Sequence, residues 1–432
     1  KLIVLNGRKN MKLDRRNFIG TSAAIAAAMA APTVMASGKP RVVVVGGGAG
    51  GATAARYIAK DSKGAIDVTL VEPTRNYYTC FFSNLYIGGF RSLDSIGHSY
   101  GNLATEYGIN VVHDWAVGID RGSKTVTLAG GATLNYDRLI LSPGIDFIDG
   151  SVEGWSINAQ NKMPHAYKAG SQTELLKAQI EAVPQGGVFA MVAPPNPYRC
   201  PPGPYERVSM IAHLLKYHAN NPTAKIIVAD PKPKFSKMGL FQEGWGSHYS
   251  GMIDWIGSEF GGGNVSVDPD AMTVTIDGEV TKVDACNVIP AMKAGRICEI
   301  AGITEGNWAP VSAHTMQSRV DENIHVLGDA SAQGDMPKSG YSANSQAKVA
   351  AMAVRGALTG SKVFPAKFSN TCWSLVHTND GVKVGATYEA TDEKIAKIDG
   401  FVSKTGEAAD LRKATYEESI GWYSGITADM FG

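Results

Sequence analysis

Residues 39–60, KPRVVVVGGGAGGATAARYIAK, leave this chain little choice of architecture. Four consecutive valines read as a buried strand, the glycine cluster as a tight turn, and the alanine-rich run as a helix. Gly46, Gly48 and Gly51 satisfy the spacing G-x-G-x-x-G. The first glycine makes the turn, the second lets the backbone approach a pyrophosphate, and the third lets the helix lie close on the strand. The helix N-terminus then offers unpaired N–H groups and a positive dipole end to the phosphates. The next strand, IDVTLVEP, ends in Glu72, 21 residues beyond Gly51, where a ribose-binding carboxylate belongs.

Later stretches select a flavin dinucleotide over a nicotinamide one. ENIHVLGDASAQ, residues 322–333, is a short strand running into Gly328-Asp329. In two-domain flavoproteins such a strand brings an aspartate to the ribityl chain, so Asp329 is expected on the FAD. YDRLILSPG, residues 136–144, matches the strand that returns the chain to the same sheet. PKSGYSANSQAKVAAMAVRGAL, residues 337–358, reads as a loop feeding a helix, with Lys338 counted among the cofactor contacts. The N-terminus of that helix suits the pyrimidine edge of a flavin, where negative charge gathers on reduction.

A second β-α-β unit follows in residues 187–230: GGVFAMVAP, YERVSMIAHLLKYH and AKIIVAD. Its strand-to-helix turn, PPNPYRCPPGP, has a single glycine, Gly203, and is filled with prolines. Proline lacks the N–H donor and stiffens the path, so this turn cannot form a phosphate cradle. The fold of a nucleotide domain is expected here without its ligand, and Asp230 reads as a strand-end residue rather than a ribose contact.

The 432 residues suffice for two or three domains. Residues 1–36 hold six basic side chains and one acid, so the body carries about −4 of the formal net charge of +1. No basic patch with interleaved aromatics points to nucleic acid. MKLDRRNFIG followed by TSAAIAAAMAAPTVMASG reads as a twin-arginine export leader over residues 1–37, starting at Met11 and cleaved after Ala36. That address leads to the periplasm. No other stretch is long and apolar enough to span a bilayer. Five cysteines are present, Cys80, Cys200, Cys286, Cys298 and Cys372, without a CxxC pair. His213 and His218, five apart, fall off a single α-helical face. A zinc or iron–sulfur site is not expected.

The strings VVVVGGGAGGATAA, YYTCFFSN, YRCPPGPYER, VLGDAS, PKSGYSANSQAK, NTCWSLV and GWYSGITADMFG carry a resemblance across residues 40–432. The chain resembles the flavoprotein subunit of flavocytochrome c sulfide dehydrogenase. The resemblance implies an α/β chain with two Rossmann-like domains of glutathione-reductase type and a C-terminal α+β interface domain. It implies that Cys80 bonds covalently to the 8α-methyl of FAD. It implies that Cys200 and Cys372 form a redox-active disulfide beside the flavin, with Cys372 facing the ring, and that hydrogen sulfide is the substrate. A c-type cytochrome subunit is the implied acceptor, since this chain has no CxxCH haem site. Glu206 matches a position near the flavin, where it moves protons or tunes the cysteines. Read from its own context, it is equally a helix N-terminal acid. Cys286 and Cys298 lie outside the pattern and read as buried thiols, with a further disulfide as the alternative.

The expected division is a leader over 1–37, an FAD domain over 38–150 and 271–362, a second Rossmann-like domain over 151–270, and an interface domain over 363–432. A hairpin is expected at Asn379-Asp380-Gly381. Three other readings stay open. A sulfide:quinone oxidoreductase needs an apolar membrane face, which the acids Glu417, Glu418 and Asp429 do not suit. A pyridine nucleotide-disulfide reductase needs the turn that the prolines occupy. A non-enzymatic electron relay leaves the cysteine pair without a purpose.

Overall fold

The computed structural model describes residues 38–432; the leader expected over 1–37 lies outside the described residues. The first domain is built on a five-stranded parallel sheet. Its order is Ile324–Val326, Arg138–Leu141, Arg41–Val45, Asp67–Val71 and Asn110–Val112. Val42 to Val45 are buried, as a central strand covered on both faces requires. The helices Gly51–Ser62 and Gly340–Thr359 cover it, and a three-stranded antiparallel sheet lies within residues 116–135.

The chain passes to the second domain along Ile145–Phe147 and returns along Met292–Ala294, and these two segments pair antiparallel. Between them lies a four-stranded parallel sheet in the order Ile253–Ile256, Lys225–Ala229, Val188–Val192, Ala285–Val288. Three short antiparallel strands within residues 265–282 pack against it, sharing a core with Cys286 and Val288. The boundary expected at 270 is therefore displaced. Residues 271–290 belong to the second domain, because Ala285–Val288 pairs in parallel with Val188–Val192. The alternating ribbon before that strand hid the crossover that returns to the sheet.

The last domain is an antiparallel sheet of Lys367–His377, Asp380–Ala390 and Ile395–Val402, closed by the helix Ala409–Phe431. Its first hairpin turns on Thr378 and Asn379, one residue earlier than expected, with Asn379 in the left-handed region at φ 59°. Tyr57 Oη donates to Asp429 Oδ1 at 2.9 Å, which ties the terminal helix to the first domain. No helix among the described residues is long and apolar enough to cross a membrane.

Two buried histidines make this fold acid-sensitive. His325 sits in the central sheet with Nδ1 on Thr315 O, and burial lowers its pKa to about 4. His165 is lowered by burial to about 3. Unfolded histidine titrates near 6.5, so between about 4 and 6.5 the unfolded chain binds more protons. This stability is complete above pH 6.5 and falls as pH drops through that window. The expected result is a Tm lower at pH 5 than at pH 7.5 by about 5 °C or more. Thermal melts at both values check it, and a flat Tm contradicts buried neutral histidines.

Candidate active site

The glycine turn builds one wall of a cleft of about 570 Å³. Gly46 takes φ +99°, and a Cβ there would stand 2.3 Å from Ser142 O. Gly51 lies so close beneath the turn that a Cβ would stand 1.8 Å from Gly46 O. Gly46 and Gly48 line the cleft, while Gly51 sets the packing of helix on strand. Glu72 stands at the lip: Oε2 accepts the Gly47 N–H at 2.8 Å and Oε1 the Thr74 N–H at 3.0 Å. Cys80, Ser142 to Ile145, Arg199, Asp329 and Gly340 also line the cleft.

Two buried polar atoms there lack a partner, Asp329 Oδ1 and Arg199 Nη2. Asp329 Oδ2 and Arg199 Nη1 are 3.6 Å apart. Burial raises Asp329, and the Arg199 and Lys338 charges oppose the rise. An unsatisfied carboxylate oxygen facing a nucleotide cleft fits a polyhydroxyl chain. Lys338 is not in the lining. Its Nζ donates to Asp329 O at 2.8 Å and Ser331 O at 2.7 Å, over the Trp308 ring, so it braces the aspartate turn rather than touching the cleft.

Cys80, Arg199 and Gly340 also line a second, smaller chamber of about 70 Å³, so the two spaces meet there. Cys200 and Cys372 both face this chamber, brought from different domains. Cys200 lies within the proline-rich turn, at φ 56°. Its N–H donates to Lys338 O at 2.7 Å, and its carbonyl accepts from Gly203 N at 2.7 Å and from Tyr167 Oη at 3.3 Å. Cys372 lies on the strand Lys367–His377, with Asn370 Nδ2 3.5 Å from its Sγ. The disulfide that the resemblance implied is not formed here: both are free thiols. Burial pushes both thiols up. Burial also raises Cys80, and the Arg199 guanidinium opposes it.

Glu206, in the first turn of the helix Gly203–His213, reaches across the chamber. Its Oε1 accepts the Leu375 N–H at 2.9 Å and its Oε2 the Asn84 amide at 2.8 Å, so it joins the helix after Cys200 to the strand of Cys372. Burial raises its pKa; those two donors oppose it. Both readings of Glu206 therefore have a physical basis: it is an acid in the first helical turn and it lines the chamber. Phe81, Tyr341, Trp373 and Trp422 supply the aromatic walls.

Three side chains at the site went unassigned by sequence reasoning. Arg199 was visible as the neighbour of Cys200. Arg207 is 2% exposed and bonds Asn84 Oδ1, Asn287 Oδ1, His165 O and Ala166 O, a set drawn from three segments. Lys237 lies in PKPKFSK, where nothing separates it from its lysine neighbours.

The acid that ends the second β-α-β unit is engaged by the protein itself. Asp230 is fully buried; its Oδ2 accepts from Tyr205 Oη at 2.6 Å and Trp255 Nε1 at 3.0 Å, and Lys232 covers Oδ1. It is a saturated core carboxylate and also a strand-end turn residue, since Lys232 N–H donates to its Oδ1 at 3.1 Å. Cys286 and Cys298 belong to separate hydrophobic cores, and both are free thiols pushed up to about 12 by burial. His213 and His218 do approach, with ring centroids 5.5 Å apart, because Leu214–His218 is a π-helical turn that aligns a five-residue spacing. Among the described residues no group of three or more His, Cys, Asp or Glu is placed to hold a metal.

The model of the central region of the sulfide dehydrogenase (flavocytochrome c) flavoprotein chain matches residues 173–290. The flavocytochrome c sulphide dehydrogenase flavin-binding model matches 365–431, and the pyridine nucleotide-disulphide oxidoreductase model matches 40–180. Among solved structures, the sulfide:quinone oxidoreductase of Aquifex aeolicus shares 17% identity at a TM-score of 0.67, covering 90% of this chain and 92% of that one. The NAD-dependent persulfide reductase of A. fulgidus shares 18% identity at 0.61, covering 88% and 77%. Putidaredoxin reductase in its covalent complex with putidaredoxin shares 16% at 0.64, covering 88% and 93%. At these identities the likeness shows the fold: two Rossmann-like domains and a C-terminal sheet. Three family models, two of them specific, fall in chain order on the glycine turn, the Cys200 segment and the terminal sheet, and the chain belongs to the family of flavocytochrome c sulfide dehydrogenase flavoprotein chains.

Proposed function

We propose that this flavoenzyme oxidises hydrogen sulfide through Cys200 and Cys372, with FAD held in the glycine cleft and joined to Cys80. The carrying observation is that two cysteines from separate domains face one chamber that opens, at Cys80 and Arg199, onto the nucleotide cleft. The proline-filled second turn and the saturated Asp230 support an electron donor other than a pyridine nucleotide.

In the oxidised enzyme the two sulfurs form a disulfide. Hydrosulfide attacks one of them: a new S–S bond joins substrate sulfur to that cysteine, the Cys200–Cys372 bond breaks, and the other cysteine leaves as thiolate. The substrate sulfur is oxidised by two electrons and the disulfide is reduced by the same two. Glu206, raised by burial and lining the same chamber, would take the persulfide proton. The aromatic walls limit water. Gly46, Gly48 and Glu72 would hold the dinucleotide and Asp329 its ribityl chain, while Arg199 would favour the thiolate of Cys80. Bound FAD supplies a two-electron acceptor able to release electrons singly. A c-type cytochrome subunit then suits as the partner, and export by the twin-arginine route would place the pair in the periplasm.

A second reading, electron delivery to a quinone, is favoured by the fold shared with the Aquifex aeolicus enzyme. Peptide mapping of acid-precipitated protein tests the first. The expected result is a FAD-sized mass increment on the Cys80 peptide and faster sulfide-dependent reduction of a c-type cytochrome than of a short-chain quinone. An unmodified Cys80 with FAD in the supernatant, together with preference for the quinone, would overturn it.

A further inference from the structure

We propose that Lys237 is a positioning residue that decides which cysteine leaves as thiolate, favouring charge on Cys372 over Cys200. This inference rests on the disulfide reading above. Cys372 and Ser374 are two apart on one strand, so their side chains share a face. Lys237 Nζ donates to Ser374 Oγ at 2.8 Å and to the Cys372 carbonyl at 3.1 Å. The ammonium therefore lies on the strand face that carries the Cys372 sulfur.

Its surroundings say what it is for. Lys237 is 8% exposed. Its hydrogen-bond acceptors are neutral: Cys372 O, Ser374 Oγ and Val382 O. No carboxylate stands within ion-pair distance among the described residues. A buried ammonium without a partner is costly. The groups that offset it electrostatically are Cys372, Glu206 and Cys200, in that order, and burial lowers the ammonium to about 8. Lys237 also holds φ 62°, a left-handed conformation that side chains other than glycine avoid. A charge held this way has its full counter-ion only when a thiolate forms beside it.

The two cysteines differ in their share of it. Around Cys372, Lys237 is the leading influence against burial, joined by hydrogen bonds from Asn370 and Ser339, and Glu206 opposes ionisation only as the smallest of these contributions. Around Cys200, the acidic groups Cys372, Glu206 and Cys80 all oppose ionisation, and Lys237 is the last and weakest contribution. Hydrosulfide is thus directed to the Cys200 sulfur. The Cys200–Cys372 bond breaks, its electron pair stays on Cys372, and the persulfide forms on Cys200.

Alkylation of the reduced, full-length flavoprotein by iodoacetamide, read peptide by peptide across a pH series, tests this. In the unaltered protein Cys372 is expected to react at lower pH than Cys200. Lys237→Met should raise the Cys372 midpoint by about one unit, slowing it about tenfold near neutrality, with Cys200 little changed. Lys237→Arg should restore most of the rate. An unchanged Cys372 midpoint in folded Lys237→Met, or a larger effect on Cys200, overturns the proposal. Folding is checked by continued protection of Cys286 and Cys298. Should Lys237→Met misfold, Ser374→Ala removes the anchor alone and should slow Cys372 about threefold; no change would overturn it equally. Loss of the Cys372 effect while sulfide still reduces the flavin sinks this inference only. A preserved effect in a protein that sulfide does not reduce sinks the functional reading instead.

Discussion

Serine at either Cys200 or Cys372 should slow sulfide-dependent reduction of the flavin by at least about 10³-fold, some 4 kcal/mol of barrier, while leaving flavin content unchanged. The reason is the leaving group. A disulfide sulfur accepts hydrosulfide because the departing thiolate is stable near neutral pH; a serine oxygen forms no such bond. The backbone around each site should survive the exchange. Cys200 is held by its N–H on Lys338 O and its carbonyl on Gly203 N and Tyr167 Oη, none of which uses the sulfur. Cys372 lies in the middle of a paired strand, in register with Val384. Anaerobic stopped-flow mixing with sulfide measures the loss, with dithionite as the control that the flavin remains reducible. A Cys200→Ser protein that sulfide reduces within tenfold of the unaltered rate would mean that the flavin takes electrons without the pair. The chamber would then be only a passage, and the relay reading would replace the enzyme proposed here.

What the sequence made legible is what lies close together in the chain. The strand, glycine turn and helix of 41–62, the acid at Glu72 and the strand before Asp329 are local patterns, and each is found where the spacing places it. Cys80, Cys200 and Cys372 were not legible in that way. Composition and periodicity allow each to be an ordinary buried thiol, as Cys286 and Cys298 are; resemblance alone singled them out. The domain boundary was misplaced because the strand Ala285–Val288 looks the same in sequence whichever sheet it joins, and its parallel partner lies about a hundred residues earlier. The pairing of His213 with His218 depends on a π-helical turn that no helical periodicity announces. Lys237, Arg207 and Asn84 owe their roles to partners from remote segments. Their chemistry exists only after the second and third domains close over the chamber.

Gly51→Ala should yield protein without flavin, or insoluble protein. The added Cβ would stand 1.8 Å from Gly46 O and 3.3 Å from Val44 Cγ1. The nearer obstacle is backbone, in a turn that is itself fixed: Gly46 N–H bonds Val71 O at 2.9 Å, and Ser142 N–H bonds Val45 O at 2.9 Å. No side chain can rotate away, so the helix Gly51–Ser62 must withdraw from the sheet. That movement carries off the amides that would face a pyrophosphate and opens the core under Ala52, Ala54 and Ala55, all fully buried. Overpacking of this kind costs about 3 kcal/mol or more. Gly64→Ala is the matched control. Gly64 has φ +81° with nothing within 4 Å of its missing Cβ, so alanine there costs about 1 kcal/mol of backbone strain and touches no ligand. Flavin-to-protein ratio and Tm of the two variants measure the difference. The control should keep full flavin with a slightly lower Tm. If Gly51→Ala does the same, the glycine turn is not the dinucleotide cradle, and attachment at Cys80 would have to proceed without it.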